Sequence, residues 1–233
     1  MGFIDGQPQL IIVLDKDMEK WTLKEFLTYD PEDMFSNTIL DLNTSLEKGR
    51  NFNKTDRESF FADCINKVYE KETNKLEDTK VKLQEDWNKV QDKFLNISSE
   101  LFNGHGWPQG NYIGFLSIFN CNPRFIDQKS FQCYYKHQEG LVYVCAHEML
   151  HFMFYSYLYS HPELIVGVSE MQIWKVSEIF NVVVLSFPEF VEVTKNPKPR
   201  PYPKHKELIP RFEKLWVEDS HVDSFIRNSF YLL

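Results

Sequence analysis

The sequence predicts an α+β protein: a small sheet and two buried helices, preceded by a helical N-terminal region. Three observations carry that expectation. Residues 55–101 contain no Gly or Pro and repeat apolar side chains at helical steps. Residues 112–120 and 130–137 (YIGFLSIFN and SFQCYYKH) are short, aromatic and β-prone, and Asn122-Pro123 separates them. Residues 141–159 and 169–186 are mostly apolar runs of helical length. At 233 residues with 42% hydrophobic content, the chain can bury a core and is not a disordered polymer. Residues 1–108 are expected to form the mostly helical N-terminal region. Residues 109–233 would form a second region with a C-terminal tail, the two packing as one compact unit.

From the N-terminus, residues 10–14 (LIIVL) are a short apolar run bounded by polar sequence, which predicts a strand. A helix is expected around residues 23–28, followed by polar loop sequence to about residue 50. Within the 55–101 helix, Leu76, Leu83, Trp87, Val90, Phe94, Ile97 and Leu101 recur at steps of three, four or seven. They form one apolar stripe on an amphipathic surface. Such a stripe can dimerise as a coiled coil, but packing on the same chain is the simpler expectation. Asn103-Gly104-His105-Gly106-Trp107-Pro108 stops the helix. Further on, Gly140 introduces the 141–159 helix, and the 169–186 helix ends before Pro188. The segment NPKPRPYPK then places four prolines between Pro197 and Pro203, an extended and stiff connector. Short amphipathic helices at 207–217 and 221–232 close the chain, and no internal repeat is present.

Charge and composition exclude several functions. Lys and Arg number 26 against 34 Asp and Glu, a net charge of −8 with no basic stripe, which argues against a nucleic-acid partner. With nine glycines, a glycine-looped phosphate cradle is not expected. Cys64, Cys121, Cys133 and Cys145 show no CxxC spacing and read neither as a disulfide framework nor as an all-cysteine zinc knuckle. The opening residues carry acids and no basic n-region, so a cytoplasmic protein is expected. On that expectation the sequons at Asn43, Asn53 and Asn96 are chance matches. Residues 141–159 are long enough to cross a bilayer, but no second segment matches them and mean hydropathy is −0.42. They are expected to be a buried central helix, with no membrane partner.

That helix contains His147-Glu148-Met149-Leu150-His151, an HExxH motif. Histidines at i and i+4 share one helical face, so both imidazoles can reach a single zinc ion. Glu148 follows the first histidine, where it can take a proton from a water polarised by the metal and return it to a leaving amine. A chain of this composition carries the motif by chance about 0.02 times, so it is not a compositional accident. Burying one glutamate and two imidazoles in an apolar run without compensation costs several kcal/mol, roughly, and a metal ion supplies the compensation.

HEMLH followed by an apolar helix that carries glutamates resembles the zincin metallopeptidases, specifically the gluzincin branch, over about residues 110–187. The resemblance implies a zincin-like small sheet, an HExxH active-site helix and a glutamate helix. It also implies one zinc ion per chain and hydrolysis of a peptide or protein substrate. HEMLH continues as Phe152-Met153-Phe154-Tyr155, without the Gly and third His of metzincins. The strand at 130–135 resembles the edge strand with which zincins hold substrate by β-augmentation.

Two glutamates compete for third ligand. Glu170 lies 19 residues after His151, a spacing familiar among gluzincins. Yet Ser169-Glu170-Met171-Gln172 also has the form of a capping box, in which an acid at the first helical position is favoured by the helix dipole alone. Glu178 lies 27 residues after His151, among Trp174, Val176, Ile179, Phe180, Val182 and Val183. An acid in so apolar a surface needs a cationic partner. WKVSEIFN also looks like the Trp-x-x-Glu-type gluzincin helix, with one extra residue between Trp174 and Glu178. Glu178 is therefore the preferred ligand.

An oxyanion-stabilising group is also required, and Tyr134, Tyr135, Tyr155, Tyr159, Tyr202 and His205 are candidates. Tyr155 and Tyr159 extend the HExxH face, where core packing is the plainer expectation. Asn181, near Glu178, suits either a partner for a ligand or an ordinary buried amide. The expected function is thus zinc-dependent peptide hydrolysis, with His147, His151 and Glu178 as ligands and Glu148 as base. A deformylase-like amide hydrolase would recruit a cysteine, Cys133 or Cys121, as third ligand. A non-enzymatic alternative keeps the fold as a binding or regulatory module. The tail after the proline connector would either cross the cleft as a lid or complete the core.

Overall fold

In the computed structural model, the structure describes residues 8–28, 49 and 52–233. The polar stretch expected as loop, with the Asn43 sequon, lies almost wholly outside the described residues. Among the described residues the chain is α+β, with seven α-helices and one four-stranded mixed sheet. It divides into two units, each assembled from non-contiguous stretches: residues 10–86 with 111–141, and residues 87–110 with 142–233.

The first unit holds the sheet. Strands β1 (Leu10–Val13), β2 (Tyr112–Ser117), β3 (Arg124–Phe125) and β4 (Ser130–Tyr134) lie in the order β1-β2-β4-β3. β1 pairs parallel to β2 and β2 parallel to β4, while β3 runs antiparallel to β4. Alternation drives β1: Leu10 and Ile12 are buried and Ile11 is exposed. Gly114 of β2 sits where a Cβ would lie 2.8 Å from Ile12 Cδ1 and 3.3 Å from Phe131 Cζ, so a side chain there would force the strands' neighbours apart.

Helix α1 (Lys16–Thr28) follows β1 and starts earlier than the sequence pattern suggests. Asp15 explains the difference, because its Oδ1 accepts the backbone N–H groups of Asp17 and Met18 at 2.8 and 3.1 Å.

Polar groups flanking β1 and β4 already have partners. On β1, the Gln84 side chain takes the place of a further strand, accepting from Ile12 N at 2.8 Å and donating to Leu10 O at 2.9 Å. Along β4, Gln132 N donates to Pro123 O at 2.9 Å and Tyr134 N to Asn122 Oδ1 at 3.1 Å, beyond the short β3 pairing. The expectation that residues 130–135 form an edge strand open to substrate is therefore corrected. β4 is an interior strand whose outward N–H groups already have acceptors.

Helix α2 (Lys54–Leu101) is 48 residues long and contributes to both units. Of its stripe, Leu76, Leu83, Trp87 and Phe94 are buried, which agrees with packing on the same chain. In the second unit, Phe94 meets Trp107 and Phe190 with ring centroids 5.8 and 6.1 Å apart.

The second unit is helical. Helix α3 (Leu141–Ser160) is apolar on nearly every face and correspondingly buried. A 3-10 turn at Pro162–Leu164 and Gly167, with φ of +75°, lead to α4 (Glu170–Val184). Helix α5 (Pro188–Thr194) is absent from the sequence expectation; its Pro188 is a helix starter at the first position as well as a stop for α4. After a 3-10 turn at Pro203–His205 come α6 (Ile209–Glu218) and α7 (Val222–Phe230). Phe212, Val222, Phe225 and Ile226 are buried, and Phe225 packs 5.5 Å from Phe180 of α4. The C-terminal helices thus complete this unit's core. Among the described residues, no helix is long and apolar enough to cross a membrane.

Candidate metal centre

Helices α3 and α4 lie in the same unit and bring together His147, His151 and Glu178. His147 and His151 lie one turn apart, with ring centroids separated by 4.8 Å and Nε2 atoms by 3.1 Å. Glu178 stands across from them: its Oε2 is 3.3 Å from His147 Nε2 and its Oε1 is 3.5 Å from His151 Nε2. Glu178 is 3% exposed and His151 is fully buried, while 15% of the His147 side chain remains accessible, so the cluster opens on the His147 side.

These spacings can be compared with what an ion requires. With ligand bonds of about 2.0–2.1 Å, the edges of a tetrahedron around zinc measure about 3.3–3.4 Å. The two Nε2 atoms are 3.1 Å apart and Glu178 reaches them through different oxygens, at 3.3 and 3.5 Å, so that length is approached pair by pair; one ligand atom from each of the three residues lies within 4.8 Å of the others. Without a cation, two buried imidazoles that both donate to one carboxylate through Nε2 would turn those N–H groups toward each other. A cation held there would instead accept a lone pair from each imidazole and from the carboxylate. His147 Nδ1 is a buried atom with no hydrogen-bond partner among the described residues, so this ring lacks the acceptor that commonly orients a metal-binding imidazole through its second nitrogen. The donor set of two imidazoles and one carboxylate fits a divalent ion of the zinc type.

Local sequence explains the placement. Ser169 caps α4 through a reciprocal box, with Gln172 N donating to Ser169 Oγ at 3.3 Å and Ser169 N to Gln172 Oε1 at 3.0 Å. Glu170 therefore occupies the exposed first helical position and is not among the three clustered residues. Two turns deeper, Glu178 sits in the buried run Val176–Val184. Asn181 donates Nδ2–H to the backbone carbonyl of His147 at 2.8 Å, tying α4 to the α3 turn that carries the first clustered histidine. It acts on the backbone of His147, not on its ring.

The other named residues fall as follows. Glu148 is 4% exposed, directly after His147 on α3. His205 is buried, with Trp174 and Tyr202 ring centroids at 5.7 and 5.6 Å. Burial lowers the His205 pKa, and the Glu178 carboxylate acts on the same imidazole in the opposite sense, which puts His205 within electrostatic reach of the cluster. Tyr134 and Tyr135 belong to the other unit. Tyr155 is half-buried, and Tyr159 is 66% exposed. Core packing is thus corrected for Tyr159, because α3 has emerged from the core by its last turn.

Cys121 and Cys133 are free, buried thiols outside the cluster, whose third member is a carboxylate. A bracing network around α3 lies beyond the reach of sequence reasoning. Tyr157 Oη donates to Asp223 and accepts from Asn103 Nδ2, and its ring stacks on His161 at 4.2 Å, while Ser156 Oγ meets His105 Nε2 at 3.0 Å. Its members come from three separate stretches, around residues 103–105, 156–161 and 223, and no local pattern links those stretches. No protein-family profile, curated protein or solved structure matches this chain.

Proposed function

We propose that the protein is a zinc-dependent metallopeptidase of gluzincin type, hydrolysing peptide bonds of a peptide or protein substrate. The observation that carries this proposal is the convergence of His147 Nε2, His151 Nε2 and the Glu178 carboxylate closely enough for one ion to reach all three, with Glu148 next in chain to the accessible histidine. Zinc, when bound by these three residues, supplies a Lewis acid that polarises a carbonyl and acidifies water. The Glu148 carboxylate takes a proton from the attacking water as its oxygen bonds to the carbonyl carbon. It then delivers that proton to the amine nitrogen as the C–N bond breaks, so the base ends as it began. The apolar surroundings on α3 and α4 exclude bulk water and strengthen each of these charges. Asn181 holds the His147 turn in register with α4. The buried thiols of Cys121 and Cys133 suit a reducing compartment, and with it a cytoplasmic placement.

The test compares the purified wild type with Glu148→Gln. Wild type is expected to carry about one zinc per chain and to cleave a peptide library; Glu148→Gln keeps the metal and loses at least about a hundredfold in cleavage. Zinc retention with no cleavage by the wild type would instead favour a binding module.

A further inference from the structure

The segment between α5 and α6 takes no part in the chemistry proposed above, yet its charge differs from that of its surroundings. From Lys195 to Lys206 it carries five cations, Lys195, Lys198, Arg200, Lys204 and Lys206, and no acid. The flanks have the opposite character. Residues 176–194 hold three acids and no Lys or Arg, and residues 207–223 hold five acids against two cations. All five cations of the segment are exposed. Lys198, Lys204 and Lys206 make no ion pair among the described residues. The preceding acid in the chain, Glu192, is engaged by Lys93 at 2.5 Å.

The segment is also held in shape. Prolines at 197, 199, 201 and 203 fix φ at every second position. Lys195, with φ of +57°, turns the chain out of α5. Thr194 Oγ1 then accepts from Asn196 N at 3.3 Å, and Asn196 Oδ1 from Lys198 N at 3.2 Å. At the other end the Tyr202 ring packs 5.9 Å from Trp174 of α4 and 5.6 Å from buried His205. Between these ties Pro199 and Pro201 are half-buried while Lys198 and Arg200 face water. A cationic segment fixed at both ends loses little conformational entropy when it binds. The same prolines remove four backbone N–H groups, which makes the segment a poor partner for an added β-strand. Recognition therefore falls to its charged side chains.

We propose that residues 195–206 form a docking segment for a short acidic stretch of a partner polypeptide. The cations select an acid, and the flanks select a short one. A nucleic acid or an anionic bilayer extends past the segment and meets the flanking acids, whose repulsion reaches about 10 Å at 0.1 M salt. The net charge of −8 acts in the same sense on any long polyanion. A run of a few Asp or Glu residues ends where the cations end. Docking here needs neither bound zinc nor turnover, so it stands apart from the peptidase proposal.

The test uses the full-length Glu148→Gln protein, so that turnover cannot consume the probe. The probe is a fluorescein-labelled peptide with a run of five Glu in a Gly-Ser background, and Gln or Lys replaces Glu in the controls. Fluorescence polarisation is read at about 50 and 300 mM salt. Expected is binding of the Glu peptide and not of the controls, weakened at least about fivefold by the higher salt. Lys198→Gln, Lys204→Gln and Lys206→Gln combined weaken it roughly tenfold, at about twofold for each exposed pair lost. Arginine at the same three positions retains binding, and melting temperature and zinc content stay constant. Carbodiimide cross-linking read by mass spectrometry joins the peptide's carboxyl groups to lysines of this segment. Equal binding of Glu and Gln peptides, binding that survives the triple Lys→Gln change, cross-links confined to other lysines, or no binding at millimolar peptide would each overturn the proposal. A single-stranded oligonucleotide and anionic phospholipid vesicles are measured beside the peptide. Tighter, lysine-dependent binding of either would overturn the choice of a polypeptide partner.

Discussion

Two buried glutamates, one in each unit, show how differently a carboxylate can be accommodated. Glu19 of α1 is 1% exposed and receives three neutral donors: Ser117 Oγ at 2.7 Å, Ile118 N at 2.9 Å and Tyr69 Oη at 3.2 Å. Burial nonetheless pushes its pKa up to about 7, against the opposing pull of those hydrogen bonds. Every donor belongs to the fold itself, two of them at or just past the end of β2, so the group is a structural brace. Glu178 is 3% exposed and faces two imidazole nitrogens whose spacing suits a shared cation. A buried acid with a full set of hydroxyl and amide donors completes a structure. A buried acid that converges with two histidines makes a group that could hold a metal ion.

The largest effect that would probe this contrast concerns the second unit as a whole. Truncation after Pro203 removes Phe212, Val222, Phe225 and Ile226, each fully or almost fully buried. Their combined burial, at roughly 1.5–3 kcal/mol apiece, rivals the net stability of a whole domain. The expected product is insoluble or molten by near-UV circular dichroism. A soluble, folded and more active product would mean that these helices act as a detachable lid.

Next in size is the exchange of the two acids. Glu178→Ala is expected to abolish zinc retention through dialysis, whereas Glu19→Ala leaves zinc content unchanged and lowers thermal stability. Elemental analysis and a melting curve read both. Zinc loss in Glu19→Ala, or full retention in Glu178→Ala, would erase the distinction.

The brace also predicts a pH dependence. Its folded pKa of about 7 exceeds the ordinary value of 4.5, so the folded state holds this proton more tightly than the unfolded chain. The contribution is fully present below pH 4.5, declines as pH rises to 7 and levels off above it. Its full span is on the order of 3 kcal/mol. Glu19→Gln should flatten that part of the stability profile measured by urea denaturation; an unchanged slope would show that another group carries it.

A smaller effect is expected at the tie between the helices. Asn181→Ala leaves its fold intact but removes the hydrogen bond to the His147 carbonyl, and should weaken zinc affinity roughly tenfold, measured by competition with a chelator. Unchanged affinity would make Asn181 an ordinary core amide.

The three clustered residues are legible in sequence because they obey short-range rules. His147 and His151 are one turn apart, and Glu178 stands out as an acid in an apolar run beside a self-sufficient capping box at Ser169. The same rules find the helices and most of the sheet. What escapes them depends on distant partners. Gln84 closes β1 from more than seventy residues away, and the donors to β4's outer edge find acceptors in a loop that carries no strand pattern. Helix α5 was hidden because Pro188 reads equally as a stop and as a start. Tyr159 has the spacing of a core residue, and only the point at which α3 leaves the core decides that it faces water.

X-ray absorption at the zinc edge of the purified, zinc-loaded protein tests the His147–His151–Glu178 centre most directly. Coordination by these three residues gives nearest neighbours of nitrogen and oxygen only, at about 2.0–2.1 Å, with outer scattering from two imidazoles. Sulfur at about 2.3 Å would place a cysteine in the coordination shell, and failure to take up zinc at all would remove the centre itself.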